Sequence, residues 1–409
     1  MSYRGAPPPA PWVLVSGGFH RMGGMDKANL SLAEYLVEMG TPVHIVCHSL
    51  DQNLFRDPLV TTHLVSRPAG SFFLGEPLLD IRGRLVARSV CRRWPQTTVV
   101  VNGGNCIWPG VNWVHYVHHA WRGRGPSGPA WIGAKNALAD WVVRKRERLA
   151  IRKSRLVISN SNQTAQNLVE HLGVDQAKIR TIYLGAESEW GPVTLDERAA
   201  SRAWLGVAPS RPLALFLGGL GHDQRKGFDV LFQTWKVLCE RPDWDVDLVV
   251  AGNGGEMEIW RERITQAGLE RRIRLLGFSQ QVQKLLAAAD LLVSPTRYEA
   301  YGLNVQEAIC RGIPAMVSAS AGVAERYGPE YAPMLIPNPE DVGGLVERLL
   351  AWRAVKEEWL VRFQPFCAAL RTRSWRSMAG EIVSVVQQPQ FQLSCPRLGL
   401  EMQLTNDKR

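Results

Sequence analysis

Short apolar runs alternate with segments of helical spacing along most of the chain. The first run, "WVLVSGG" (12–18), ends in glycine, and "MDKANLSLAEYLVEMG" (25–40) follows it closely. In that segment Leu30, Ala33, Leu36 and Val37 share one helical stripe, and Gly40 is placed to stop the helix in the left-handed conformation. Further runs of the same kind are "PVHIVC", "TTVVVNGG", "NWVHYVHH" and "LVISNS", with helical segments between them. Strands alternating with helices predict a parallel sheet covered on both faces.

A polar stretch over 187–211 interrupts this rhythm, and its prolines and glycines fit a linker with a short helix inside it. The alternation then restarts with "LALFLGG", the helix "GFDVLFQTWKVLCE", "VDLVVAGNG", "IRLLGF", "LLVSP" and "PAMVSAS". Phe228, Leu231, Trp235 and Leu238 recur at helical spacing and are expected in the core. The last helical pattern is "RSWRSMAGEIVSVVQQ", after which it dissolves. A chain of 409 residues exceeds what one core usually holds. The prediction is α/β, with two Rossmann-like parallel-sheet domains facing a central cleft. Residues 1–190 form the first domain, 191–211 a linker and 212–370 the second. A helix over 371–388 is in a position to cross back to the first domain, and 389–409 is expected to be a poorly anchored tail.

Apolar residues make up 45% and charged residues 21%, the mix of a globular domain in water. No apolar run approaches the roughly 18 residues of a spanning helix. The start, "MSYRGAPPPAPW", lacks an apolar core and a small-residue cleavage site, so a cytoplasmic location is expected. The cysteines are scattered and never in C-x-x-C pairs, which predicts buried free thiols rather than a disulfide frame or zinc site. The net charge of +10 suits an anionic partner: nucleic acid, a membrane face or a phosphorylated substrate.

In open α/β sheets ligands sit beyond the carboxyl ends of the strands, so the loops there carry the candidate chemistry. After the first strand, Gly23 and Gly24 precede a helix, where bare backbone amides can approach a phosphate. After "LALFLGG", Arg225 and Lys226 precede another helix and are placed to clamp a diphosphate from two sides. After "LLVSP", the amides of Tyr301, Gly302 and Leu303 lead into a helix and are free for an anion. Glu299 in that loop is able to accept hydrogen bonds from sugar hydroxyls. Glu307 has two readings: the carboxylate of a capping box begun by Asn304, or an acceptor for both hydroxyls of a ribose. "NWVHYVHH" sets His115, His118 and His119 at a strand end, with no spacing that marks a metal site. The D-x-D pattern within "DWDVD" (243–247) precedes its strand and lies at the wrong end of the sheet.

Together these segments resemble glycosyltransferase family 4, retaining enzymes of the GT-B fold. The likeness runs from "GGMDKANLSLAEYLVEMGTPVHIV" to "SWRSMAGEIV", and "SPTRYEAYGLNVQEAICRGIP" is its most specific part, similar to the family's Glu-x(7)-Glu signature. The resemblance implies that Glu299 holds donor-sugar hydroxyls, Glu307 the ribose, and the backbone around Gly277 and Phe278 the base. It implies that Arg225, Lys226 and the amides of Tyr301 to Leu303 hold the diphosphate, with Gly23 and Gly24 across the cleft. His118 corresponds best to the family histidine near the reacting sugar, with His119 and His115 as alternatives. The chain departs from the family at Gly219, where arginine is usual, and at Ala300, which makes "EAYG" of the usual "EGFG".

The implied activity is metal-independent transfer of a sugar, with retention, from a nucleotide diphosphate sugar to a hydroxyl of a glycan or lipid-linked acceptor in cell-surface polysaccharide or glycolipid synthesis. It requires no cofactor beyond the donor substrate and no nucleic-acid partner. The basic run "RKRERLAIRKSR" (144–155) suits either peripheral contact with an anionic membrane at the inner face or a solvated helix face. The alternative readings are a GT-B-type sugar-nucleotide epimerase and a non-catalytic binder of anionic ligands.

Overall fold

The computed structural model describes residues 9–121, 123, 130–187 and 189–391. The first half contains strands β1 (Trp12–Val15), β2 (Gly18–Phe19), β3 (Val43–Cys47), β4 (Ser49–Leu50), β5 (Val60–Leu64), β6 (Thr98–Val101), β7 (Val111–Val114), β8 (Leu156–Ser159) and β9 (Ile179–Thr181). Its seven-stranded sheet runs β5-β3-β1-β6-β7-β8-β9, all parallel, while β2 and β4 pair separately. The second half contains β10 (Leu213–Leu217), β11 (Asp247–Ala251), β12 (Ile273–Gly277), β13 (Leu291–Ser294), β14 (Ala315–Ser318) and β15 (Leu335–Ile336). They form a six-stranded parallel sheet in the order β12-β11-β10-β13-β14-β15.

The strands β1, β7, β8, β13 and β14 are buried at every position because crossover helices cover both sheet faces. The edge strand β5, "VTTHL", has no fully buried residue, and its mixed polarity hid it from the apolar pattern. Gly40 takes φ 71° and ends the helix Gly24–Glu38, as its place in the sequence requires. Phe228, Leu231, Trp235 and Leu238 are all buried in the second core. Inside the polar stretch, Thr194 caps the helix Leu195–Leu205 by accepting from the Glu197 amide at 3.2 Å.

The last helix, Trp375–Val386, returns to the first half. Its Met378, Ala379 and Ile382 share one core with Leu30, Ala33 and Leu36 of the helix Gly24–Glu38. At the crossing the Ala186 amide donates to the Arg373 carbonyl at 2.8 Å. Beyond it, Pro389–Phe391 form a turn whose Phe391 is buried, with the Arg180 guanidinium 4.8 Å over its ring. The chain is therefore still anchored at 391, later than the sequence pattern predicts, because one aromatic side chain suffices to hold the turn; the rest of that segment lies outside the described residues.

Cys47, Cys106, Cys239, Cys310 and Cys367 are free thiols, and burial pushes the Cys47 thiol up to about 12. Cys91 is disulfide-bonded, which corrects the expectation of free thiols throughout. Among the described residues no helix is long and apolar enough to cross a membrane.

Gly185 is required by the crossing. A Cβ there would lie 2.4 Å from the backbone of Trp375. Gly185→Ala is expected to cost about 1–3 kcal/mol, the usual range for overpacking a tight contact, and to lower the thermal unfolding midpoint.

Candidate active site

The carboxyl ends of the two sheets face each other, and the loops there enclose a cavity of 610 Å³. Gly23, Gly24 and Lys27 line it from the first half, Trp190 from the crossing segment, and Phe278, Leu303 and Glu307 from the second half. Gly23 has φ 87° and starts its helix without a side-chain cap. A Cβ on Gly24 would meet the Leu303 side chain at 3.3 Å, so this glycine lets the two halves close on each other. Phe278 stands 67% exposed on the rim beside Gly277, which takes φ 75°.

The loop after β13 is fixed from both sides. Ser161 of the first half donates to the Ala300 carbonyl at 2.7 Å, and the Gly322 amide donates to the Glu299 carbonyl at 3.1 Å. Gly302 takes φ 110° with Val323 2.9 Å from where a Cβ would be, so only glycine fits without strain. The amides of Tyr301, Gly302 and Leu303 find no acceptor among the described residues, the condition for receiving an anion. The Tyr301 side chain belongs to the core, with its hydroxyl bonded to Gln306, so this residue offers a ligand only its backbone.

Glu307 does not cap its helix. Gly302 is the N-cap of the helix Leu303–Cys310, so Asn304 already lies inside it, and the Asn304 side chain donates through Nδ2 to the Leu217 carbonyl at 2.8 Å. The capping-box reading is thereby removed. The Glu307 carboxylate instead faces the cavity 3.4 Å from Lys27 Nζ. Burial raises its carboxyl, and the Lys27 ammonium opposes that.

A second cluster lies outside the lining of that cavity. Lys226 and Glu299 form an ion pair, each side chain mostly shielded from water. Gly227, φ 69°, lets the chain pass under the Pro295 carbonyl, which a Cβ would meet at 1.9 Å, and this approach brings Lys226 to the loop of Glu299. Arg225 turns away from its neighbour. Its guanidinium lies 5.0 Å over the Tyr116 ring and 3.5 Å from Asp223, so the two neighbours reach different partners.

Tyr116 also packs edge-on against Tyr298 and against His118. The three histidines separate clearly. His115 packs on Trp113 at 4.5 Å, and burial drives its ring down to about 3, leaving it neutral. His118 and His119 both direct Nδ1 at the buried Glu147, at 2.9 and 2.8 Å. Strand alternation does not point them apart, because β7 ends at Val114 and the chain turns. His118 has the more exposed side chain, 44% against 15% for His119, and sits beside Tyr116.

Sequence reasoning missed Glu147, Lys27, Trp190 and Tyr298. Glu147 was hidden inside the basic run, four of whose side chains are tied to the protein: Arg144, Arg146, Arg148 and Arg152 donate to the carbonyls of Trp121, Gly104, His171 and Leu172. Lys27 carried one signal, a position in the first turn after the paired glycines. Among the described residues no group of three or more His, Cys, Asp or Glu is arranged to hold a metal ion.

Residues 22–190 match the family described as Glycosyltransferase Family 4, and residues 211–352 match Glycosyl transferases group 1. The chain belongs to the family 4 glycosyltransferases. An uncharacterized glycosyltransferase of Methanocaldococcus jannaschii is 26% identical over 250 residues, 60% of this family 4 chain and 63% of that relative. Other curated relatives are matched over 47% and 55% of their own length. The solved structure of WaaG, a glycosyltransferase involved in lipopolysaccharide biosynthesis, superposes with a TM-score of 0.69 at 16% identity, covering 92% of this chain and 100% of that one. Anabaena Alr3699/HepE in complex with UDP-glucose gives 0.68 at 17% identity, covering 92% and 99%. These likenesses show that the fold is GT-B.

Glu147 supports a pH prediction. Burial alone would raise its carboxyl, but the hydrogen bonds and charge of His118 and the bond from His119 outweigh it and hold the carboxyl below its ordinary 4.5. A depressed carboxyl contributes stability that is complete above the unfolded value and lost as the pH falls through the folded one. The gap in thermal midpoint between the wild type and Glu147→Gln is therefore expected to be largest near neutrality and to close in acid below 4.5.

Proposed function

We propose that this protein transfers a sugar, with retention of anomeric configuration and without a divalent metal, from a nucleoside diphosphate donor to a hydroxyl of a glycan or lipid-linked acceptor. The observation that carries the reading is the Lys226–Glu299 pair beside the unpartnered amides of residues 301–303. Those are the charges and donors that a departing diphosphate needs. Residues 212–370 are read as the donor half and 1–190 as the acceptor half. The family membership and the fold shared with a UDP-glucose complex support a nucleotide-sugar donor. The comparisons favour neither an epimerase nor a non-catalytic binder.

In this reading the base rests near Gly277 and Phe278, the ribose hydroxyls donate to Glu307, and the phosphates meet the helix-start amides, with Gly23 and Gly24 opposite. Glu299 accepts from the sugar hydroxyls, and His118, steadied by Glu147, faces the reacting sugar. The bond from the anomeric carbon to the phosphate oxygen breaks while the acceptor oxygen bonds to the same face of that carbon. The acceptor proton passes to the leaving diphosphate, whose growing charge Lys226 stabilises. Arg225 has a lesser part, as a support for Tyr116.

Incubation with a panel of nucleotide sugars is expected to identify one donor, and NMR of the product to show the donor's own anomeric configuration. Lys226→Ala should lower kcat about a hundredfold or more at saturating donor, the usual loss for one transition-state donor. An unchanged kcat removes Lys226 from the mechanism.

A lipid-linked acceptor is favoured by one surface. On the helix Phe72–Arg93 the side chains of Leu74, Leu78, Ile81 and Leu85 are 49%, 39%, 49% and 53% exposed at helical spacing, and Arg82, Arg88 and Arg92 are exposed beside them. The neighbouring helix Ala130–Lys153, tied to it by Asp80 and Arg146 at 3.7 Å, exposes Leu138, Trp141 and Leu149. Apolar side chains among cations suit the surface of an anionic bilayer. The protein is expected to co-sediment with phosphatidylglycerol vesicles, and Ile81→Glu with Leu85→Glu to leave most of it in solution.

A further inference from the structure

We infer that Lys27, on the first helix of the N-terminal half, holds the Glu307 carboxylate in place across the cleft and so makes recognition of the donor ribose depend on both halves of the protein. The inference rests on the reading of Glu307 as the ribose acceptor and adds a positioning residue to it.

Lys27 is 9% exposed, unusual for a lysine on a helix that borders a cavity. Its ammonium lies 2.6 Å from the Glu187 carboxylate and 3.4 Å from that of Glu307. The rings of Trp190 and Trp375 lie 5.1 and 5.4 Å away, with Trp375 Nε1 donating to Glu187 at 3.2 Å. Four segments therefore meet at one cation: the first helix, the crossing segment, the helix Leu303–Cys310 and the final helix. A buried ammonium carries three donors and no acceptor, and these carboxylates and ring faces receive it.

The arrangement also works in the other direction. Two carboxylates face a single cation, and without it they would confront each other in a site with little water. Burial favours the neutral form of Glu307, Glu187 pushes the same way, and among the described residues Lys27 opposes both. An ionised carboxylate accepts from two adjacent hydroxyls, whereas a protonated one must place a donor of its own among them. Lys27 thus keeps Glu307 in the form that reads a vicinal diol. Because it comes from the opposite half, that form depends on how the halves meet.

A lysine that merely stapled the halves together would affect every ligand alike, which gives the test. The full-length protein is titrated with whichever of UDP and GDP binds more tightly, and with the 2′-deoxy form of the same nucleotide. The wild type is expected to prefer the ribonucleotide by about tenfold or more, the value of a hydrogen bond to a charged group. In Lys27→Met the preference should shrink to near unity, while Lys27→Arg, which keeps the cation, should retain most of it. Lys27→Gln is a second neutral variant and gives the same readout if the methionine protein does not fold. Equal weakening of both nucleotides, with the preference intact in the neutral variants, overturns the inference. A wild type without any preference for the ribonucleotide overturns the ribose reading of Glu307 itself, and the inference with it.

Discussion

Charged and polar groups withdrawn from water between two parallel sheets must be answered by the loops of the opposite sheet, and the seam of this molecule is built on that constraint. At the exposed rim of that seam Glu325 of the second half accepts from the amides of Asn162 and Gln163 at 2.9 and 2.6 Å, at the start of a helix of the first half, where backbone donors are otherwise unpaired. Tyr298 accepts from the Val117 amide at 3.0 Å, and the Ala300 carbonyl accepts from Ser161 at 2.7 Å. The loop that carries Glu299 is therefore set by contacts from across the seam as much as by its own strand. Displacing one half would move the reacting groups relative to each other, even with both sheets intact.

The strands and helices were legible because burial on both faces leaves continuous apolar runs, and helical stripes such as Phe228, Leu231, Trp235 and Leu238 need no distant information. The loops of the site were legible too, since glycines in turns after strands mark where backbone approaches something closely. Gly24, Gly227 and Gly302 do so, and protein lies against each of them: the Leu303 side chain, the Pro295 carbonyl and the Val323 side chain. Partner choice was not legible. Asn304 and Glu307 have capping-box spacing, but the helix begins one residue before Asn304, and a register difference of this size cannot be read from residue types. Arg225 and Lys226 are adjacent in sequence and point to different partners, one to a ring of the first half and the other to Glu299.

The charge balance was hard to read for a related reason. A count of basic residues says nothing about how many face solvent. Asp247 is bound by both Arg211 and Arg272, at 2.7 and 2.9 Å, and Arg297 is shared by Asp229 and Glu340. The D-x-D pattern is consumed in the same way, with Asp245 held by Arg353 at 2.6 Å. Much of the basic excess fastens loops and helix ends, and the run over 144–155 is a scaffold for Glu147 as well as a charged face.

The return of the final helix sets how the halves can move. The chain passes between them twice, and the passages touch where the Ala186 amide meets the Arg373 carbonyl at 2.8 Å. A single tether would permit swivelling in any direction. Two adjoining tethers act like the paired knuckles of a door: any swing of the lobes is confined to one easy axis, and twisting of one against the other is resisted.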